Sequence, residues 1–112
     1  MKLGIEGRSA IVCGSSRGLG RACATALADE GVRVLITGRT AADVEATVRD
    51  INLRNGGEAL GLSCDVTSTE GRAQLIKAMG DADILVNNSA GPAPRAFLDV
   101  EEDDWAVGVS AT

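Results

Sequence analysis

Ser9-Ala10-Ile11-Val12-Cys13-Gly14-Ser15-Ser16-Arg17-Gly18-Leu19-Gly20-Arg21-Ala22-Cys23 is the stretch whose reading decides the fold. Its first five residues form a short apolar run that ends at a glycine, as a strand buried on both faces does. From Gly18 the period changes. Leu19, Ala22, Cys23, Ala26 and Leu27 recur at helical spacing over residues 18–30, and Gly31 follows as a C-terminal stop. A strand that runs through three nearby glycines straight into a helix predicts a βα unit.

The same alternation repeats outward from that unit. Residues 32–37 read as a second strand. Residues 41–54 read as a helix with Val44, Val48 and Ile51 on one face, closed by Asn55-Gly56-Gly57. Residues 59–63 form a weaker third strand. Thr67-Ser68-Thr69-Glu70 has the form of a capping box opening a helix to about Met79. Residues 82–87 read as a fourth strand. Residues 88–98 are loop, broken by Pro92 and Pro94, and a last helix starts near Val100 with the acidic run Glu101-Glu102-Asp103-Asp104 in its first turn. Strands alternating with helices predict a parallel sheet with right-handed crossovers. The fold class is therefore α/β, a doubly wound Rossmann-type sheet of about four strands in the order 3-2-1-4. At 112 residues, the chain has room for one domain, over residues 1–112.

Composition narrows the chemistry. Hydrophobic residues are 45% but aromatics only 2%, Phe97 and Trp105, so the core is expected to be aliphatic, with Trp105 a packing residue. With no histidine, zinc–histidine sites and a Ser-His-Asp triad are excluded, and no metal site is expected. The net charge of −5 makes a nucleic-acid partner a poor fit. That charge is uneven. Residues 1–56 carry eight basic and six acidic side chains, whereas residues 57–112 carry three and ten, so a small anion belongs in the first half. No apolar run reaches the roughly 18–20 residues of a membrane span, and the N-terminus has no apolar secretory core. Cys13, Cys23 and Cys64 lack metal-like spacing and read as reduced thiols, so a cytoplasmic location is expected.

The glycine-rich turn is where a ligand is expected. A helix N-terminus presents unpaired amides and a partial positive charge, which attract phosphate. Gly14 allows the sharp turn, Gly18 a close approach to a diphosphate, and Gly20 tight packing of helix on sheet. Ser15 and Ser16 can add hydroxyl donors. The plain alternative is a glycine-rich βα turn without a ligand.

The spacing Gly-x-x-x-Gly-x-Gly over residues 14–20 resembles the cofactor turn of the short-chain dehydrogenases/reductases. Cys64-Asp65-Val66 resembles that family's Asp-Val pair, which brackets the adenine. Ile84-Leu85-Val86-Asn87-Asn88-Ser89-Ala90-Gly91 resembles its Asn-Asn-Ala-Gly segment, here with Ser89 in the Ala position or inserted before Ala90. This segment, with Gly91-Pro92-Ala93-Pro94 after it, resembles a branch near the 3-oxoacyl-acyl-carrier-protein reductases. The resemblance covers the chain from about Ile5 onward. It implies a nicotinamide dinucleotide held by Gly14, Ser15, Ser16, Arg17, Gly18, Leu19, Gly20, Arg39, Thr40, Asp65, Val66, Asn88, Ser89 and Ala90.

The end of the second strand, Thr37-Gly38-Arg39-Thr40, lacks the acid that would bind the ribose 2′-hydroxyl of NAD. Arg39, with Arg17 on the other side, can pair with a 2′-phosphate, so NADPH is expected over NADH. The family's proton donor is a Tyr with a Lys four residues on. The chain has no tyrosine, and its lysines, Lys2 and Lys77, stand in no such context, so no catalytic residue is expected within it. Thr112 falls where the family often has a catalytic-helix Asn. The resemblance thus implies the cofactor half of an oxidoreductase that moves hydride between nicotinamide and a ketone or secondary alcohol, a homo-oligomer at full length. A truncated product, a non-catalytic dinucleotide-binding module, or an S-adenosylmethionine-dependent methyltransferase is the alternative.

Overall fold

Alternate residues of the first strand, β1 (Ser9–Val12), pack into two different cores. Ala10 and Val12 join one cluster with Val34, Ile36, Ala24, Ala28, Val44 and Ile51. Ile11 joins the other with Cys13, Leu35, Cys64, Leu75 and Met79. This two-sided burial follows from an apolar run with no polar alternation, and it places helices on both faces of one sheet. The computed structural model describes residues 1–54, 56–89 and 94–111, with Ala111 described by its backbone only.

In chain order the further elements are α1 (Gly18–Asp29), β2 (Arg33–Gly38), α2 (Ala41–Asn52), β3 (Glu58–Ser63), α3 (Thr69–Met79), β4 (Ile84–Val86), a 3-10 turn at Phe97–Asp99 and α4 (Glu102–Ala111). All strand pairs are parallel and the order is β3-β2-β1-β4, as expected from the sequence. Ala10 and Val12 lie beside Val34 and Ile36 on one side and beside Ile84 and Val86 on the other. Helices α1 and α2 cover the first cluster and α3 the second. Val44 and Ile51 are buried from α2, with Val48 half-buried beside them. Among the described residues the buried core is Ala, Val, Ile and Leu with Cys13, Cys64 and Met79, and contains no aromatic side chain.

The end of α1 shows how local sequence stops a helix. Gly31 has φ +83°. The Gly31 amide donates to the Ala28 carbonyl (3.0 Å) and the Val32 amide to the Leu27 carbonyl (3.2 Å), the paired bonds of a Schellman motif. Two ion pairs, Arg21–Asp50 and the bidentate Arg54–Asp29, tie α1 to α2 or its C-terminal end across the surface.

Several expectations are corrected. The stripe of α1 that meets the sheet is Gly20, Ala24 and Ala28, with Leu27 half-buried, while Leu19 is 81% exposed and Ala22, Cys23 and Ala26 face solvent. Residue size decides this face more than hydropathy, because small residues let the helix axis lie close to β1. Helix α3 has half a capping box. Its N-cap is Ser68, not Thr67, and Ser68 Oγ accepts from the Gly71 amide (2.9 Å), so the third helical position is a glycine that cannot reach back. Helix α4 has the other half, since Asp104 accepts from the Glu101 amide (3.0 Å). It begins at Glu102, close to the expected start near Val100, with Glu102, Asp103 and Asp104 in the first turn as expected. Strand β4 is three residues rather than six, and the expected loop before α4 contains the turn at Phe97–Asp99. Trp105 is 60% exposed and is not a packing residue among the described residues. Asn55, expected to help close α2, lies outside the described residues, as do residues 90–93 and Thr112.

Strand β4 is an edge of this sheet. Leu85 at its centre is 60% exposed, while Ile84 and Val86 pack on the first cluster. Among the described residues no helix is long and apolar enough to cross a membrane.

Candidate functional site

The carboxyl ends of all four strands are stitched together by a short chain of hydrogen bonds. The Cys13 amide donates to the Val86 carbonyl (3.0 Å), joining β1 to β4. The Ser15 amide donates to the Thr37 carbonyl (2.9 Å), and the Thr37 amide donates to Ser15 Oγ (3.0 Å), joining the glycine turn to β2. Thr37 Oγ1 lies 3.0 Å from Cys64 Sγ, and the Cys64 amide donates to the Gly38 carbonyl (2.9 Å), joining β2 to the end of β3. Asn88, just beyond β4, donates from Nδ2 to the Gly14 carbonyl (3.2 Å). A parallel sheet leaves its strand ends without ladder partners, and these bonds convert four ragged ends into one platform.

Ser15 is fully buried at the centre of this platform. Its hydroxyl donates to the Val12 carbonyl (2.6 Å) while accepting from Thr37. The expected hydroxyl donor is thus turned inward. Ser15→Ala leaves the Thr37 amide buried without an acceptor, and an unmet buried donor costs about 1–3 kcal/mol. A lowered urea midpoint with an unchanged slope is the expected result, and an unchanged midpoint would contradict the role given to Ser15.

The glycines differ in what they do. Gly14 has φ +58°, which an L side chain adopts only under strain, and a Cβ there would press on Asn88 Nδ2. Gly20 lies where a Cβ would drive into the Gly14 carbonyl. Gly18 has φ +63° with open space on its Cβ side. Two of the three therefore serve the turn and its packing, and the third leaves room for something else.

Above the platform is a cleft of about 670 Å³, within the size range of small-molecule sites. Of the residues expected at a site, Gly14, Ser16, Arg17, Leu19, Arg39, Thr40, Asp65, Val66, Asn88 and Ser89 line it. Ser15, Gly18 and Gly20 do not; Ser15 and Gly20 lie beneath it as support. Ala90 lies outside the described residues. Gly38, Asp43, Cys64 and Thr67 also line the cleft and had not been singled out from the sequence for a site. Gly38 and Cys64 do so as backbone neighbours of residues that had been. Thr67 could have been found from its spacing, because an Asp two residues earlier commonly closes an Asx turn.

Capping separates the helices at the cleft from the others. Neither α1, with Arg17 at its N-cap, nor α2, with Thr40 there, has a side-chain cap, and both N-caps line the cleft. Helix α3 has its Ser68 cap. First-turn amides of α1 and α2 are thereby left for a ligand, with the positive ends of two helix dipoles. Arg17 and Arg39 add full charges from exposed positions. Asp65 accepts from the amide and hydroxyl of Thr67 (2.9 and 2.6 Å). These bonds hold its carboxyl below the usual range, with Arg39 and Arg72 adding to the effect.

Cys13 is buried under the platform. Burial pushes its thiol up, and the Asn88 amide partly opposes this. Cys64 is buried as well, while Cys23 is exposed on α1. A thiol reagent applied to the native protein is expected to label Cys23 alone, with Cys13 and Cys64 labelled only in denaturant. Rapid native labelling of two or three thiols, read by intact mass, would contradict the burial.

The family model described as short chain dehydrogenase matches residues 8–110. The chain belongs to the short-chain dehydrogenase family. It is 36% identical over 106 residues to the uncharacterized oxidoreductase YvaG of Bacillus subtilis, covering 94% of this chain and 40% of that protein. It is 34% identical over 110 residues to the L-xylulose reductase of Bos taurus, covering 98% of this chain and 43% of the relative. The L-sorbose reductase of Gluconobacter frateurii, solved with NADPH and L-sorbose, superposes with a TM-score of 0.86 at 27% identity, over 99% of this chain and 44% of that one. This chain of 112 residues spans less than half the length of each of these three proteins. The matched relatives are named as oxidoreductases or reductases, and the L-sorbose reductase was solved with NADPH bound.

Proposed function

We propose that these 112 residues form the NAD(P)-binding domain of an NADPH-dependent short-chain oxidoreductase. The single observation that carries this reading is the charge at the two uncapped helix starts. Arg17 stands at the N-cap of α1 and Arg39 one residue before the N-cap of α2, on the wall of one cleft. The end of β2, where an acid would take the ribose 2′-hydroxyl, is Thr37-Gly38-Arg39. A guanidinium there makes charge-assisted bonds to a 2′-phosphate.

The residues present fit the dinucleotide. The turn from Gly14 to Gly20 would receive the diphosphate on its amides, with room left by Gly18. Ser16 lies beside this turn, and its carbonyl is fixed by the Thr47 hydroxyl (2.8 Å). Asp65 and Val66 would flank the adenine, and Asn88 and Ser89 would continue the cleft toward the nicotinamide. Leu19 and Thr40 complete the walls. When bound, nicotinamide supplies or accepts a hydride at a ketone or secondary alcohol. Proton transfer needs groups outside this sequence, which contains no tyrosine. Thr112 has no assigned part in it. A small carbonyl or alcohol substrate, a cytoplasmic setting and homo-oligomeric assembly belong to the same reading of the whole enzyme. No role toward nucleic acid or membrane is proposed.

The missing tyrosine favours one second reading, a dinucleotide-binding module without turnover of its own. Fluorescence titration with NADPH and NADH tests the first reading. The expected result is saturable binding of both with NADPH tighter. Tighter NADH would overturn the cofactor assignment. Ketone reduction measured on the chain together with its remaining sequence separates an enzyme from a module.

A further inference from the structure

We infer that Asp43 is a specificity-determining residue whose carboxylate counters Arg17 and Arg39, so that the cleft accepts NADH beside NADPH. This inference rests on the dinucleotide reading above and adds to it a group that opposes the arginines.

Asp43 is the third residue of α2, in its first turn, and it lines the cleft with Arg39 and Thr40. An acid at that position can reach back to the N-cap amide, as in a capping box. Asp104 occupies the same position of α4 and does so, accepting from the Glu101 amide at 3.0 Å. Asp43 makes no such bond, and among the described residues its carboxylate has neither a hydrogen-bond nor an ion-pair partner. Its acceptor capacity is therefore open to whatever fills the cleft.

The cleft walls carry four charged side chains: Arg17, Arg39, Asp43 and Asp65. Two positive and two negative charges give a wall that is formally neutral. Asp65 is already engaged by Thr67, and Arg72 holds the adjacent Val66 carbonyl (3.2 Å). Asp43 is thus the acid left to act on a ligand. A 2′-phosphate brings nearly two negative charges into this field and meets repulsion from Asp43 along with attraction from the arginines. A free ribose hydroxyl brings none, and can donate to the carboxylate. The acid normally found at the end of the second strand is absent, and an acid one helical turn later supplies part of its effect.

The test is the ratio of NADPH to NADH dissociation constants for the unaltered chain, Asp43→Asn, Asp43→Ser and Asp43→Glu, with folding checked by circular dichroism. Removing one repelling charge from a partly exposed site is expected to tighten NADPH about three- to tenfold in Asp43→Asn and Asp43→Ser. NADH should weaken or stay the same, and Asp43→Glu should keep the original ratio. The gain should shrink in 0.5 M salt, where screening falls to a few ångströms, roughly. A ratio unchanged in both neutral variants overturns this inference and leaves the dinucleotide reading standing. Failure of the unaltered, folded chain to bind either dinucleotide overturns both. If one neutral variant does not fold, the other carries the same comparison.

Discussion

Gly20→Ala is expected to lose about 2–3 kcal/mol of stability, the upper part of the range for forcing a methyl into a closed contact. Helix propensity alone argues the opposite, since alanine in place of glycine inside a helix gains up to about 1 kcal/mol. The steric effect wins because the added Cβ meets the Gly14 carbonyl, which is backbone and cannot swing aside. That carbonyl also accepts from Asn88, so the shift would travel to the segment after β4. Gly18→Ala is the contrast. It places a side chain at φ +63° with no neighbour in reach, costing about 1–2 kcal/mol in backbone strain. It should leave the packing alone and weaken dinucleotide binding by filling the approach to the turn. Thermal melts of both variants, with a dinucleotide titration of each, check the pair. A Gly20→Ala protein as stable as the parent would mean that α1 does not lie against the turn as described.

Arg39→Asp carries the second large effect. A charge-assisted bond is worth about 1.5–3 kcal/mol, so NADPH affinity should fall by about 10- to 100-fold. NADH, which has no phosphate at that position, should change by less than about threefold, or gain if the new acid takes the ribose hydroxyls. The ratio of the two affinities then reverses. Because Arg39 is exposed, little change in stability is expected, and a melting curve separates the binding effect from misfolding. Equal loss of both cofactors would show that Arg39 shapes the cleft instead of reading the phosphate.

Much of the fold could be read from the residues because its signals are local. A short apolar run such as Val34-Leu35-Ile36 reads as a strand buried on both faces, and Gly31 stops a helix through its own backbone. The alternation of strand and helix gave a parallel sheet, and the glycine turn after the first strand pointed to the Rossmann order. The buried face of α1 was not legible, because it depends on how near the helix comes to β1. Hydropathy favoured Leu19 and Cys23, while contact distance favoured Gly20, Ala24 and Ala28. Trp105 misled for a related reason, since apolar character does not say which neighbours lie within reach. At the site, the glycine turn, Arg17, Arg39 and Asp65 were visible as motifs. Asp43 was not, because an acid in a helix's first turn has an ordinary structural explanation. Only its missing capping bond, set beside Asp104, marks it out. Ser15 shows the reverse error: its hydroxyl was counted toward a ligand, and the structure gives it to Val12 and Thr37.

Amide chemical shifts of the nitrogen-15-labelled chain, followed as NADPH is added, test the central claim most directly. The largest changes are expected at the amides of Ser16 through Gly20, with a second set near Arg39 to Ala41 and smaller ones at Asp65 to Thr67. Saturable binding whose shifts spare the residues between Gly14 and Gly20 would contradict the claim that this turn receives the diphosphate.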